Sequence, residues 1–294
     1  MEQKRFAWIQ PNSRTSSTLT HLPVRLPLNA ASLGNSSSGS FMPSKRALPG
    51  LGESTRNSPD FLREGILATY SPTDATPHQF KRNLSDQEWL AFLELAHTNR
   101  KAGYEKYRAF YLSTDGQIYD SDLHAFGVYL SDYSRHLASR LPTSRLSTLM
   151  ITGALCPIAT FSEFMAAAAG LLRKPGAPVI YGTVRTIEAD RETFLPWART
   201  RMACIIFNLQ MIHDPVGLRR AIDKFRGLIE LSIVYGGTYY LTYHRYATDQ
   251  QLRTCYPEFD LWLKEKRERD PENKFTNDWF RAVAGEYPAT EMSL

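Results

Sequence analysis

Three polar side chains stand inside segments whose other residues are typical of buried β-strands. Arg185 lies within Val179–Ile187, and Asn208 and Gln210 lie within 204–211. Because successive side chains of a strand point to opposite faces, Asn208 and Gln210 share one face of a sheet. Burying such a face is costly unless its polar groups are paired, so it lines a ligand cavity or packs against something polar. The alternative is an antiparallel sheet whose polar face meets water, and spacing alone leaves both open.

Two further candidates follow an aromatic run nearer the C-terminal end. Residues 238–243 predict a strand, and His244 and Arg245 come directly after it. A side chain at the end of a rigid element keeps its position, as catalytic groups must. Histidine and arginine at such a place can donate hydrogen bonds to a bound group or stabilise negative charge on it. The alternative is structural, with Arg245 paired to a carboxylate on the C-terminal helices.

Several other kinds of site are not supported by the sequence. The seven histidines form no H-x-x-x-H pair, and no carboxylate stands at helical metal-ligand spacing, so we predict no metal site. There is no G-x-S-x-G nucleophile elbow and no Walker loop. Gly50-Leu51-Gly52 lacks the preceding strand, third glycine and following helix of a dinucleotide loop. The three cysteines are far apart, and we expect them to be buried and reduced.

Composition and charge bound the partners and the compartment. The 294 residues, 43% of them hydrophobic, can form one large domain or two ordinary ones. The 35 basic and 30 acidic residues are spread along the chain, and an RRM signature is missing, so nucleic acid is not a predicted partner. No run approaches the roughly 18 apolar residues of a membrane span, and the N-terminus lacks the apolar run of a signal peptide. We therefore predict a soluble, cytoplasmic protein with no transmembrane segment.

Capping residues and apolar periodicity predict the elements that must hold the polar side chains. Helices are predicted after the caps Ser85 with Glu88, Thr160 with Glu163, Asp214 with Pro215, and at Pro257. Strands are predicted at 66–70, 123–130, 146–152, 179–187, 203–212 and 238–243. From 123 onward, the order β-β-α-β-β-α-β followed by helices predicts an α+β fold. It would have a mostly antiparallel sheet with helices on one face and a helical C-terminal tail.

A longer stretch of the C-terminal part is similar to a known superfamily. It comprises Gly236-Gly237-Thr238-Tyr239-Tyr240-Leu241-Thr242-Tyr243-His244-Arg245-Tyr246-Ala247-Thr248, then Gln251-Leu252, Tyr256-Pro257, Lys266-Arg267, Asp270-Pro271 and Asp278-Trp279. This stretch resembles the C-terminal end of FAD-linked oxidases of the vanillyl-alcohol oxidase / para-cresol methylhydroxylase superfamily, especially aldonolactone and alditol oxidases. Segments 179–188 and 204–209 resemble strands of their cap domain. The resemblance extends from about residue 91 to residue 283.

The resemblance implies FAD as the cofactor and a small-molecule substrate that passes hydride to the flavin. It implies that Arg185, Asn208 and Gln210 bind the substrate. It further implies that His244 and Arg245 are catalytic and that Tyr243, His244 and Arg245 contact the flavin.

The chain also departs from the superfamily pattern. Members carry a glycine-rich diphosphate-binding region in an N-terminal domain, often with a histidine or cysteine bonded to the flavin, and nothing in residues 1–60 corresponds to it. Some members have a lysine shortly after the histidine of the turn, where this chain has Ala247. We therefore predict the substrate-binding C-terminal portion of an FAD-dependent oxidoreductase acting on an alcohol, polyol or sugar lactone. We expect it to be inactive without a separate FAD-binding domain or chain.

The alternative is a non-catalytic remnant or protein-interaction module, in which the apolar helices at 161–172 and 218–233 need covering by a partner. On the main interpretation the chain divides into five segments. These are a disordered low-complexity leader (1–60), a linker with a helical segment (61–120), the substrate-binding cap domain (121–247), FAD-covering helices (248–283) and a tail (284–294).

Overall fold

The computed structural model describes residues 16–25, 37–41, 64–73, 84–114, 117–120 and 146–285. The strands are β1 (Ser16–Arg25), β2 (Ser37–Phe41), β3 (Glu64–Thr73), β4 (Ile118–Asp120), β5 (Ser147–Pro157), β6 (Val179–Ile187) and β7 (Met202–Ile212). The helices are α1 (Asp86–Thr98), α2 (Arg100–Ser113), α3 (Phe161–Arg173), α4 (Pro215–Val234), α5 (Asp249–Cys255), α6 (Phe259–Arg269) and α7 (Asp278–Val283). The predicted strand at 123–130 lies outside the described residues.

The strands form a seven-stranded sheet in the order β4-β1-β3-β2-β6-β7-β5, and all its neighbouring pairs are antiparallel. The α+β class with an antiparallel sheet and a helical C-terminal region is therefore confirmed. β7 pairs with β5 from Met202 to Ile212 and with β6 on its other side, so the three strands form one continuous surface. Strands from all three segments 1–60, 61–120 and 121–247 take part in the sheet.

Two of these strands lie in the segment for which the sequence predicts disorder. β1 pairs with β3 over ten positions, and β2 lies between β3 and β6. For these two stretches the structure differs from the expectation. The physical reason is that Ser- and Thr-rich strands gain their stability from backbone pairing with distant neighbours, which local composition does not reveal.

One face of the sheet is covered by α3 and α4. Phe161 and Phe164 of α3 and Phe225 and Leu228 of α4 are fully buried against alternate residues of β5 and β7. The apolar stripes of both helices point towards the sheet, so they are covered within the chain itself. The alternative of an interaction module assumed that a partner covers them. A second cluster joins the other side of α4 to the C-terminal helices through Ile229, Tyr256 and Phe259, with further members Tyr239, Leu252 and Cys255.

The opposite face of the sheet is covered at its two ends by different elements. At one end α1 and α2 pack on it, with Ala96, Tyr104 and Tyr107 against Ile180 of β6. At the other end the loop between β6 and β7 contributes Trp197 and Ala198, which pack with Leu155, Met202 and Cys204. The middle of this face lies between the two coverings.

The predicted helix starts are largely as the structure has them. Ser85 and Glu88 form a capping box, and Asp214 accepts a 2.7 Å hydrogen bond from Gly217 N at the start of α4. The predicted capping box of Thr160 with Glu163 is wrong, because the Thr160 hydroxyl donates instead to the carbonyls of Pro157 and Tyr235. The helix begins there nevertheless. No helix in the described part of the chain is long and apolar enough to cross a membrane.

Candidate functional site

The segment that follows α4 passes over the outer edge of β5. Gly236 ends the helix with φ +77°, and a Cβ on Gly237 would lie 1.8 Å from Leu155 O, so only glycine allows this approach. Thr238 and Leu155 then exchange two backbone hydrogen bonds, and Tyr240 N donates to Gly153 O at 2.8 Å. Thr238 also donates through its side chain to Trp197 O, which fixes the loop between β6 and β7 to the same segment.

The predicted strand at 238–243 is therefore wrong. A single bridge joins Tyr239 to Ala154, and the chain turns from Leu241 onward. Aromatic residues favour strands by propensity, but here they form two sets that lie on opposite sides of the edge of β5. Tyr239 joins the helical side, and Tyr240 joins the side of the sheet that α3 and α4 leave uncovered.

His244 lies on the helical side, in the core. It is 7% exposed, and its ring lies 4.5 Å from the Phe225 ring between centroids and stacks with Tyr239 and Tyr246. Its Nε2 is 3.1 Å from the Thr152 hydroxyl. Burial lowers the pKa of His244 from 6.5 to about 4, so the ring is neutral at physiological pH. A neutral, enclosed imidazole can fix the segment to β5, but it presents no positive charge to a ligand.

Tyr243 lies on the opposite side, together with Tyr240. A Cβ on Gly153 would come within 3.0 Å of Tyr240 Cβ and 3.4 Å of Tyr243 Cε2, so both side chains rest on that glycine. Their ring centroids are 4.6 Å apart, and Trp197 meets Tyr240 edge-on at 5.2 Å. Burial raises the pKa of Tyr243, Cys204 and Tyr240 add to the rise, and the nearby Arg185 charge opposes it.

Arg185 shares this side, as the strand register requires. It pairs with Cys204 across β6 and β7, and Cys204 in turn pairs with Leu155 of β5. Arg185 is exposed, whereas the neighbouring Thr183 and Ile206 are half-buried. We call the set Thr183, Arg185, Ile206, Tyr240 and Tyr243 the open patch. Its base is the middle of the sheet face, and its borders are one guanidinium and two phenol rings.

The two amides predicted on this face have different surroundings. Asn208 is 4% exposed and follows Ile206 by two positions, so it lies next to the open patch on the same face. Gln210 lies further along, where it donates to Ser147 Oγ at 3.2 Å and shares a hydrogen bond with His97 of α1. Of the two amides, Gln210 thus contacts α1, and Asn208 is buried beside the open patch.

Arg245 is exposed on the turn after His244, and its charge counters the burial-driven rise in the pKa of Tyr246. The structure therefore brings Arg185, Asn208 and Tyr243 to one side of the sheet and places His244 on the other. Gln210 lies at the α1 end of the same face.

Sequence reasoning missed Tyr240, Trp197 and Gly153. A signal for them was present, because a glycine inside a strand pattern such as 147–157 often marks the close approach of another backbone or side chain.

No protein-family model matches the chain. Over 115 residues it is 28% identical to L-gulono-1,4-lactone dehydrogenase of Mycobacterium tuberculosis strain CDC 1551 / Oshkosh, and equally to that of strain ATCC 25618 / H37Rv. The match covers 39% of this chain and 26% of those proteins, so the matched part spans about a quarter of their length. This partial likeness supports the resemblance to the FAD-linked oxidases at the level of the superfamily.

A structural similarity to the solved structure of FgChi7B covers 91% of this chain and 55% of that one, with 12% identity and a TM-score of 0.40. A TM-score this low does not establish a shared fold.

Proposed function

We propose that this chain is the substrate-binding, C-terminal portion of an FAD-dependent oxidoreductase that acts on an alcohol, a polyol or a sugar lactone. The observation that carries the proposal is the open patch, where Arg185 and Tyr243 from distant parts of the sequence meet on one sheet face. The partial likeness to a lactone dehydrogenase supports the choice of reaction class.

The described residues do not fit the diphosphate of FAD. Such a group is usually held by backbone N–H groups of a glycine-rich turn at a helix N-terminus. At the turn from β7 to α4 the Asp214 carboxylate already accepts from Gly217 N, and it would repel a second anion. The turn from β5 to α3 is Ile158–Thr160, which contains no glycine. We therefore propose that a separate FAD-binding domain or chain holds the dinucleotide.

The chain's own residues would bind and orient the substrate. The Arg185 guanidinium can hydrogen-bond substrate oxygens, and the half-buried rings of Tyr240 and Tyr243 can exclude water from one side. Asn208 is 4% exposed, so it does not present its amide to the patch. FAD, when bound, supplies the hydride acceptor. His244 would act as a positioning residue that fixes the segment carrying Tyr240 and Tyr243, and Arg245 remains a predicted flavin contact.

Two measurements on the full chain test this proposal. FAD titration of the chain alone should show weak binding or none, and tight stoichiometric retention would overturn the need for a separate domain. The chain is then mixed with a flavin domain of an FAD-linked oxidase under anaerobic conditions, and the flavin absorbance is followed after addition of L-gulono-1,4-lactone, an alditol or a simple alcohol.

We expect reduction only when both components and a substrate are present. Arg185→Gln should slow it by about tenfold or more if it removes one charged contact to the substrate. A mixture that forms a complex but shows no reduction with any substrate class contradicts the oxidoreductase assignment. The matched control is Arg219→Gln, which removes an exposed arginine on α4, on the other side of the sheet.

A further inference from the structure

The open patch carries the positive charge of Arg185, whose side chain is exposed. Among the residues whose side chains the structure describes, no carboxylate pairs with Arg185, whereas Arg201 Nε lies 3.0 Å from Glu188 Oε1. A guanidinium stays charged at all ordinary pH values, and its planar fork matches a carboxylate in two parallel hydrogen bonds. The side chain that borders the patch is therefore suited to an anion.

Two aromatic rings lie beside this charge. Tyr243 and Tyr240 are tilted by 49° to each other, and both are half-buried, so part of each ring faces solvent. Because Gly153 beneath them has no side chain, the rings lie low on the sheet instead of standing above it. A flat ligand that lies over Ile206 would meet these rings along one side, and ring contacts of this kind add to the affinity of apolar burial.

We propose that the open patch binds a carboxylate carried on a six-membered ring. The carboxylate pairs with Arg185, and the ring packs against Tyr243 and Tyr240. This inference rests on the proposed function, since it names the substrate class of the same site as a ring-bearing hydroxy acid. The ring can be that of a sugar acid or of an aromatic acid, which share this chemistry.

A phosphate fits the patch less well. Phosphate sites usually combine several cationic or backbone donors. Arg185 supplies the only guanidinium of the open patch, and Thr183 and Tyr243 supply hydroxyl groups. One fork and neighbouring hydroxyls suit a single carboxylate.

Ligand binding is measured with the full chain and without flavin. The probes are D-glucuronate and 4-hydroxybenzoate, their neutral counterparts D-glucose and 4-hydroxybenzyl alcohol, and acetate as an anion without a ring. Trp197 contacts Tyr240 edge-on, so tryptophan fluorescence reports on the patch, and calorimetry gives the dissociation constants.

We expect at least one of the two ring acids to bind more tightly than its neutral counterpart and more tightly than acetate, and its affinity to fall as salt is added. Arg185→Gln should weaken its binding by about ten- to a hundredfold, the range for one lost charged contact. Tyr243→Leu should weaken it by about two- to tenfold, whereas Tyr243→Phe, which keeps the ring and loses only the hydroxyl, should weaken it less than Tyr243→Leu does. Arg219→Gln should have no effect.

Three results would overturn the inference. They are neutral probes that bind as tightly as the acids, affinity that Arg185→Gln leaves unchanged, and no binding of either ring acid. Flavin reduction in the mixed complex reports separately on the proposed function. Binding of a ring acid without any flavin reduction leaves this inference standing and removes the oxidoreductase, and reduction by neutral polyols without acid binding does the reverse.

Discussion

His244 makes the stability of the protein depend on pH in a calculable way. Its pKa is lowered to about 4 in the folded chain because the ring is buried, against 6.5 for an ordinary histidine. Between these values the unfolded chain binds more protons, so the folded state loses stability as the pH falls through this window. The contribution is complete above about pH 6.5, and linkage gives a loss of about 2 kcal/mol from this residue between about pH 7.5 and about pH 5.

The assay is urea unfolding followed by tryptophan fluorescence at the two pH values. His97 also has its pKa lowered to about 4, by burial first and by Arg100 second, so the unaltered chain should lose about 4 kcal/mol in total if both histidines contribute equally. His244→Gln removes one titrating group and should halve that loss. It should also cost about 1–2 kcal/mol at the higher pH, because the contacts with Phe225 and Thr152 are weakened.

His213→Gln, which removes an exposed histidine, is the matched control. Carboxylates with lowered pKa values, such as Asp270, contribute mainly below this pH range, so they do not mask the effect. If His244→Gln loses as much stability on acidification as the unaltered chain, the buried neutral histidine is refuted as the cause.

Three further substitutions test the packing. Gly237→Ala should cost about 3 kcal/mol or more in the free energy of unfolding, because the new Cβ meets a backbone carbonyl that cannot move aside. Gly170→Ala, in an exposed position of α3 with nothing within 4 Å, should instead add about 0.5–1 kcal/mol, and an equal effect of the two would contradict the geometry. Lys224→Met should cost about 1–3 kcal/mol by urea unfolding, because the buried ammonium donates to the carbonyls of Leu172 (3.2 Å), Lys174 (2.8 Å) and Ala177 (3.4 Å). Unchanged stability of that variant would show that these bonds contribute nothing net.

Local chemistry made much of the fold predictable. The Asp214 cap and the Ser85 capping box are set by residues within one helical turn, so the sequence around them is sufficient. Thr160 shows where this fails, because its hydroxyl is used by Tyr235, a residue 75 positions away. The pairing of β1 and β2 likewise depends on partners far along the chain.

The candidate site was predictable in its residue types but not in its geometry. Alternation correctly put Asn208 and Gln210 on one face, since that follows from strand geometry alone. The position of Tyr240 beside Tyr243, and of Tyr239 beside His244, could not be read in the same way, because alternation would place Tyr239 with Tyr243 and Tyr240 with His244. It depends on where the chain crosses the edge of β5, which is set by the approach of Gly237 to Leu155.

The crossing at β5 also bears on the order in which the protein can fold during synthesis. β5 is an outer strand of the sheet, and its residues Gly153–Leu155 receive their second backbone partner only from 238–240. A ribosome releases β5 before it has made that segment, so the strand passes through a period with an unprotected edge, which invites pairing with other chains. Once the segment docks, it covers this edge at Gly153–Leu155, and the same segment places His244 beside Phe225. Protection of this part of the edge and completion of the core around His244 therefore depend on the same segment.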